Sequence, residues 1–297
     1  MDFLTAAYSD TGTHKRTNED SLCLRRALLS TGGEIVMAVV CDGMGGLQRG
    51  ELASAVCVWA FCDWFGHQLE RIPAIFREGR VREEWSRVFE TTHRRLLAYS
   101  AAQRVQLGTT AAVFLACEGR YIAANVGDSR VYERGGALRR LTEDHSLVAR
   151  EMAMGHITED ESRHHPQRNV LLQCLGNGDS VTPFFREGAL QNNGLYFLCT
   201  DGYVHELSAK ELEERLSPFR LNSREQMTEE LQAMAEECKI RGETDNITAV
   251  LLKASESALS TESGLRRAWK RLLGKEEKPT TTLVEMSQLL HTEETIP

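Results

Sequence analysis

The chain has 297 residues, 41 % of them hydrophobic, and a formal net charge of −8. That length supports one large core, and the acidic balance excludes a general nucleic-acid binder, which needs basic surface for phosphate contacts. The 8 cysteines stand mostly in apolar runs and form no C-x-x-C pair, so a zinc site is excluded and buried thiols in a reducing compartment are expected.

In chain order, the opening MDFLTAAYSDTG lacks the basic and apolar regions of a signal peptide. Short apolar runs predict strands at Ile35–Cys41, Thr109–Cys117, Arg120–Val126, Val131–Arg134, Leu195–Thr200 and Asn246–Leu252. Glu118-Gly119 marks a hairpin and Gly135-Gly136 a second turn. Between the first two of these strands, Leu52–Leu69 and Val81–Ala102 are helically periodic. Trp59, Phe61, Cys62 and Phe65 supply apolar bulk to the first, and Trp85, Val88, Phe89, Leu96 and Leu97 to the second. Capping pairs Thr158/Glu161, Ser208/Glu211 and Ser223/Gln226 announce later helices. The mixed order, with several strand-turn-strand steps, predicts antiparallel sheets covered by helices.

The globular pattern ends near Lys253, which sets a domain at 1–254 and a tail at 255–297. The tail opens as a small, polar linker. GLRRAWKRLLGK follows as a basic amphipathic segment suited to a membrane surface or an acidic partner, or to packing back on the domain. A Thr-rich end carries Thr280, Thr281 and Thr282, candidate kinase targets. No apolar run approaches the roughly 20 residues of a membrane span, so a cytoplasmic protein without a transmembrane segment is expected.

Three of the apolar strands carry an aspartate at an end: Asp42 in AVVCDG, Asp201 in YFLCTDG and Asp245 in DNITAVLL. Asp128 stands in the turn of NVGDSRVY, and the pair Glu19-Asp20 follows a turn-like stretch. Each alone reads as an ordinary turn residue. If they converge, their repulsion must be offset by cations, because unpaired buried charge is costly. Oxygen donors suit hard ions, Mg or Mn. Two such ions roughly 3.5–4 Å apart can activate water and hold a phosphoryl group. Composition alone does not bring the side chains together.

The segments SDTGTHKRTNED, VVCDGMGG, LGTTAAV, NVGDSRVY, LTEDHSL, HPQRNVLLQCLG, CTDG and DNITAV, with Glu51 and Ala53-Ser54, occur in one order from Ser9 to Val250. In that order they resemble the protein phosphatase 2C family, the metal-dependent protein phosphatases, in its bacterial form. The resemblance implies an α+β fold, a sandwich of two antiparallel β-sheets flanked by α-helices in four α-β-β-α layers. It implies a serine/threonine protein phosphatase in which water attacks phosphorus directly, with two Mn or Mg ions per subunit. Carried onto this sequence, Asp42 bridges both ions, Gly43 offers its carbonyl, Asp201 and Asp245 ligate, and Glu19 acts in the outer shell. Asp128, with Asp201, matches the site of a third, weaker ion. Phosphoserine and phosphothreonine proteins are the implied substrates and a Ser/Thr kinase the implied counterpart; a monomer is expected. The stretch from roughly Val148 to Arg168 matches the flap beside the cleft.

Two positions depart from the family pattern. Lys15 stands where bacterial members usually carry a phosphate-clamping Arg, so Lys15 or its neighbour Arg16 is the candidate phosphate binder. Met44 replaces the His that animal members often carry, and Met cannot donate a proton. His145 is a candidate acid, weighed against a structural place at a helix start. Asn246 reads as shaping the site, and Cys41 and Cys199 as pointing into the core. The alternatives are an inactive phosphoprotein-binding relative, opposed by the complete aspartate set, and a small-molecule phosphohydrolase on the same fold.

Overall fold

The computed structural model describes residues 1–29, 33–44, 49–255 and 284–286. One sheet runs β1 (Asp2–Asp10), β10 (Ile247–Ser255), β9 (Leu195–Cys199), β6 (Arg130–Arg134), β7 (Leu138–Arg140). The other runs β11 (Val284–Met286), β2 (Ser21–Leu28), β3 (Glu34–Cys41), β4 (Ala111–Cys117), β5 (Arg120–Val126), β8 (Phe184–Ala189). Every pairing is antiparallel. The basic segment 264–275 and Thr280–Thr282 lie outside the described residues.

Strand alternation makes the layers. On β3, Val36, Ala38 and Val40 face the other sheet, while Ile35, Met37, Val39 and Cys41 face helices. This is why β3 reads as an unbroken apolar run: both of its faces are covered. The helix layer on that side is α1 (Gly50–Gln68), α2 (Ile72–Arg77) and α3 (Val81–Gln103). On the far side α6 (Asp201–Val204), α7 (Ala209–Arg215) and α8 (Arg224–Arg241) pack against the first sheet around Phe197, Tyr203 and Leu231. The four-layer α-β-β-α order follows. Cys41 and Cys199 are buried, each between a sheet and its helices rather than between the sheets.

Helix bounds match the periodic segments closely, and Thr158 and Ser208 form reciprocal capping boxes with Glu161 and Glu211. Ser223 caps α8, but the Gln226 side chain accepts from the Asn222 amide instead. Five strands were not legible as apolar runs: β1, β2, β7 and β8 carry charged or small residues along edges or half-open faces, and β11, which pairs with β2, lies in the stretch read as a polar tail. One apolar assignment is corrected. Trp59 is 53 % exposed, because α1 turns it away from the sheet, and Trp64 fills the core beside Phe61 and Trp85.

Register then decides where the acidic residues go. Ser21 lies opposite Cys41, Ala111 opposite Val126, Cys199 opposite both Ala249 and Arg130, and Asp10 opposite Ile247. Glu19, Asp42, Asp128, Asp201 and Asp245 all follow or precede these residues within three positions, so both sheets deliver them to one end of the sandwich.

Trp85 is fully buried with its ring edge-on to Phe61 and Trp64. Trp85→Ala should lower unfolding free energy by about 3–5 kcal/mol in denaturant titration. Trp59→Ala should stay within about 0.5 kcal/mol of the parent.

Candidate metal centre

Glycines let the backbones meet at this end. A Cβ on Gly43 would stand 2.2 Å from the Gly50 carbonyl oxygen and 2.5 Å from that of Glu19, so only glycine fits beside Asp42. Gly12 has φ +77 and a Cβ there would meet the Asp245 carbonyl oxygen at 2.2 Å. Asp42 is held by its backbone: Thr110 N–H and Thr109 Oγ1 both donate to its carbonyl at 2.9 Å. Its own N–H donates to Thr110 Oγ1 at 3.0 Å. The Glu19 carbonyl accepts from Gly43 N–H at 3.1 Å and from Ser54 Oγ at 2.5 Å, which anchors the acidic pair to α1. Asn246 latches the opposing loop. Its Oδ1 accepts from Glu19 N–H at 2.8 Å, and its Nδ2 donates to the carbonyls of Thr11 and Thr17.

The side chains share one electrostatic field. Burial, then Asp201, Asp20, Asp245 and Asp128, pushes the Asp42 carboxyl well above the ordinary carboxylate range. Burial lifts Asp201 as well, and lifts Asp128 to about 7, with the Asp201 charge adding to it. For Glu19, burial raises the carboxyl despite the Lys15 ammonium. Asp201 Oδ1 is buried with no hydrogen-bond partner. These are carboxylates arranged at a cost that a bound cation removes.

The residues present fit hard divalent ions. All the converging donors are oxygens, an orphaned carboxylate oxygen points at no donor, and a Cβ on Gly50 would stand 3.0 Å from the Gly43 carbonyl oxygen, so glycine there leaves that carbonyl uncovered. Among the described residues no three His, Cys, Asp or Glu side chains already stand in ligating geometry.

Lys15 supplies the local positive charge. Its Nζ lies 3.0 Å from Asp245 Oδ1 and 3.4 Å from Glu19 Oε2. Burial opposes its charge, but Asp245 and Glu19 outweigh that and raise its pKa. The expected phosphate clamp is thus engaged by two of the expected metal-site carboxylates. Arg16, next to it, is exposed. His145 Nδ1 faces the Gly127 amide at 3.3 Å, and burial lowers its pKa, so it braces the Asp128 turn as a neutral ring.

Three residues of the centre had no role in the sequence reading. Asp20, 1 % exposed, accepts from Thr200 Oγ1 at 3.0 Å while its Oδ1 has no partner, and burial lifts it to about 8. Its signal was present, as the neighbour of Glu19, but adjacency in a loop does not say which carboxylate turns inward. His205 and Glu243 gave none. His205 Nε2 lies 3.3 Å from Asp201 Oδ2, and its Nδ1 lies 3.1 Å from Glu243 Oε2. Glu243 Oε1 in turn accepts the amides of Thr244 and Asp245 at 2.7 and 2.9 Å. A continuous relay therefore joins Asp201 to the Asp245 loop. Burial works against the imidazolium, yet Asp201 and Glu243 raise the His205 pKa to about 9.

Beside this centre opens a cleft of about 500 Å³, floored by Asp128, Asp201 and His205. Its outer wall is α4 (Leu147–Ala153), α5 (Glu159–Arg163) and Arg168, the segment expected to form the flap. Ser146 caps α4 and Thr158 caps α5, so this wall is built of short, locally stabilised turns.

Comparison with known proteins bears on the same residues. The sequence profile described as protein phosphatase 2C matches residues 14–240. The serine/threonine phosphatase stp of Listeria monocytogenes is 28 % identical over 73 % of this chain and 84 % of its own length. The protein phosphatase PhpP of Streptococcus pneumoniae is 27 % identical over 84 % of this chain and 96 % of its own. The crystal structure of the serine/threonine phosphatase Stp1 from Staphylococcus aureus superposes with a TM-score of 0.71 at 25 % identity, covering 85 % of this chain and 95 % of that one.

Two outcomes follow from the geometry. The raised folded-state pKa values of Asp128 (about 7), Asp20 (about 8) and His205 (about 9) all contribute stability below their ordinary values, lost as pH rises through the raised ones. The melting temperature of metal-stripped protein should therefore fall between pH 6 and pH 9, and fall less in Asp20→Asn; a rise would contradict the assignment. His205→Ala should weaken manganese binding by about 10–100-fold in calorimetric titration, with His205→Asn recovering part of it.

Proposed function

The chain belongs to the protein phosphatase 2C family, and on that premise we propose that it is a serine/threonine protein phosphatase working by direct attack of water on phosphorus. The observation that carries this reading is the delivery of Asp42, Asp201 and Asp245 from both sheets to one end, with an orphaned buried oxygen among them.

In this proposal Asp42 and the Gly43 carbonyl, with Asp201 and Asp245, hold two Mn or Mg ions. Glu19 acts from the outer shell, and Asp128 with Asp201 holds a third, weaker ion. Bound there, the ions supply Lewis-acid stabilisation of the phosphoryl oxygens and a more acidic attacking water. The protein's own groups do the positioning. Asn246 and Ser54 fix the Glu19 loop; the His205–Glu243 relay fixes Asp201 relative to Asp245. Lys15, the cation closest to these carboxylates, is assigned to the substrate phosphate once divalent charge replaces it at Asp245. Arg16 is a second, exposed cation beside it.

Met44 carries no proton, and His145 is committed to the Gly127 amide. The proton for the departing serine or threonine oxygen is therefore assigned to water in the cleft. Substrates are phosphoserine and phosphothreonine proteins, selected along the α4–α5 wall, and the physiological counterpart is a Ser/Thr kinase. The complete aspartate set argues against an inactive relative.

Full-length protein with added Mn should hydrolyse phosphothreonine peptides far faster than sugar phosphates, and EDTA should stop it. Asp42→Ala or Asp245→Ala should reduce kcat by at least about a hundredfold with the fold retained by circular dichroism. Lys15→Ala should raise KM for the phosphopeptide by about tenfold with a smaller change in kcat; an unchanged KM would remove Lys15 from phosphate binding.

A further inference from the structure

Two cysteine pairs cross the interface between α1 and its sheet. Cys23 on β2 and Cys62 in the C-terminal half of α1 bring their Sγ atoms to 2.6 Å. Cys41, at the end of β3, contacts Cys57 on the same helix. The pairs differ in access. Cys41 and Cys57 are both fully buried, whereas Cys23 is buried and Cys62 is half-buried at the edge of the helix layer. The first pair therefore has one partly exposed member, through which a small oxidant could enter, and the second has none.

The backbone on either side is already fixed. β2 pairs with β3 along its whole length, and α1 is seated on that sheet by Phe61, Trp64 and Phe65. Two thiols held by rigid elements at contact distance meet the main requirement for a disulfide, which is that no large backbone movement be needed.

We propose that Cys23 and Cys62 form an oxidisable pair that closes to a disulfide under peroxide, tying α1 to β2. The Cys62 thiolate attacks one peroxide oxygen, the O–O bond breaks, and hydroxide leaves, giving the Cys62 sulfenic acid. The Cys23 sulfur then attacks the Cys62 sulfur, the S–O bond breaks, and water departs with the Cys23 proton. The two sulfurs lose two electrons in total, and one peroxide becomes two waters, the hydroxide taking up the proton that Cys62 gave up on ionising.

The bond would close the chain from residue 23 to residue 62, a loop that contains Asp42 and Gly43. Both tied elements also frame the acidic pair: β2 starts at Ser21, directly after Glu19 and Asp20. Ser54 of α1 touches Ser21 Oγ at 2.9 Å and the Glu19 carbonyl at 2.5 Å. The disulfide joins β2 to α1 rather than any of the aspartates to one another, so it acts as a lock on the scaffold of the centre, and it stands whether or not the phosphatase reading does.

The test treats reduced, full-length protein briefly with hydrogen peroxide, blocks remaining thiols, and maps peptides without reduction. The expected result is a peptide pair linked through Cys23 and Cys62, with Cys41 and Cys57 alkylated as thiols. The oxidised protein should melt several degrees higher, as a cross-link closing a loop of this size does. Dithiothreitol should reverse the shift, and Cys62→Ser should abolish it. Oxygen added to Cys62 with no linked peptide, or a link through another cysteine, would overturn the pair. A formed link with an unchanged melting temperature would overturn the lock. If Cys62→Ser does not fold by circular dichroism, Cys23→Ala serves, and the map of the parent protein decides either way.

Discussion

The carboxylates at one end of the sandwich dominate the structure's energetics. Asp20, Asp128 and Asp201 are buried and Asp42 partly so, and each has its carboxyl pushed upward by loss of solvent first and by like charges after it. Nothing apolar is gained by such an arrangement. It persists because the surrounding backbone is overdetermined: strand ends in register, glycines at the points of closest approach, and threonine hydroxyls bound to main-chain groups. A scaffold that holds repelling charges together is prepared for a cation.

Charge compensation in the protein itself is local and specific. Lys15 reaches Asp245 and Glu19 on one side, and His205 reaches Asp201 and Glu243 on the other. These two groups do different things. Lys15 sits on a flexible stem in a glycine-bearing loop and can change partners, whereas His205 is wedged between two carboxylates and ties the Asp201 turn to the Asp245 loop. Their contrast sets a fixed carboxylate frame beside a cation that can change partners, as the proposed phosphate-binding role of Lys15 requires.

The two helical layers also play unequal parts. The α6–α8 side carries Asp201 and the relay, so the centre is built into its first turn. The α1–α3 side meets the centre through Gly50 and Ser54, and its main business is packing around Trp85 and Phe61. The cysteine pair lies on this second side, where a covalent tie can stiffen the scaffold without altering a ligand.

Much of this was readable from residues alone. The apolar runs of β3, β5 and β9 have both faces covered, so hydrophobicity by itself marks them, and the aspartates stand at their ends as sequence neighbours of that signal. Capping residues placed helix starts for the same reason: the interaction spans only three positions. The family pattern supplied the ligand roles, because its motifs lie on those same strand ends. What only the tertiary structure decided depends on contacts between distant segments. That Asp20 rather than solvent meets Thr200 and that Lys15 rests on Asp245 are matters of which side of a turn a chain leaves by, and that Trp59 faces outward while Trp64 packs is a matter of which face α1 lays on the sheet. His205 and Glu243 join Asp201 to Asp245 across a helix and a loop, and no local pattern in a sequence encodes such a bridge. Local preference sets the elements; the register of two sheets sets which of their ends meet.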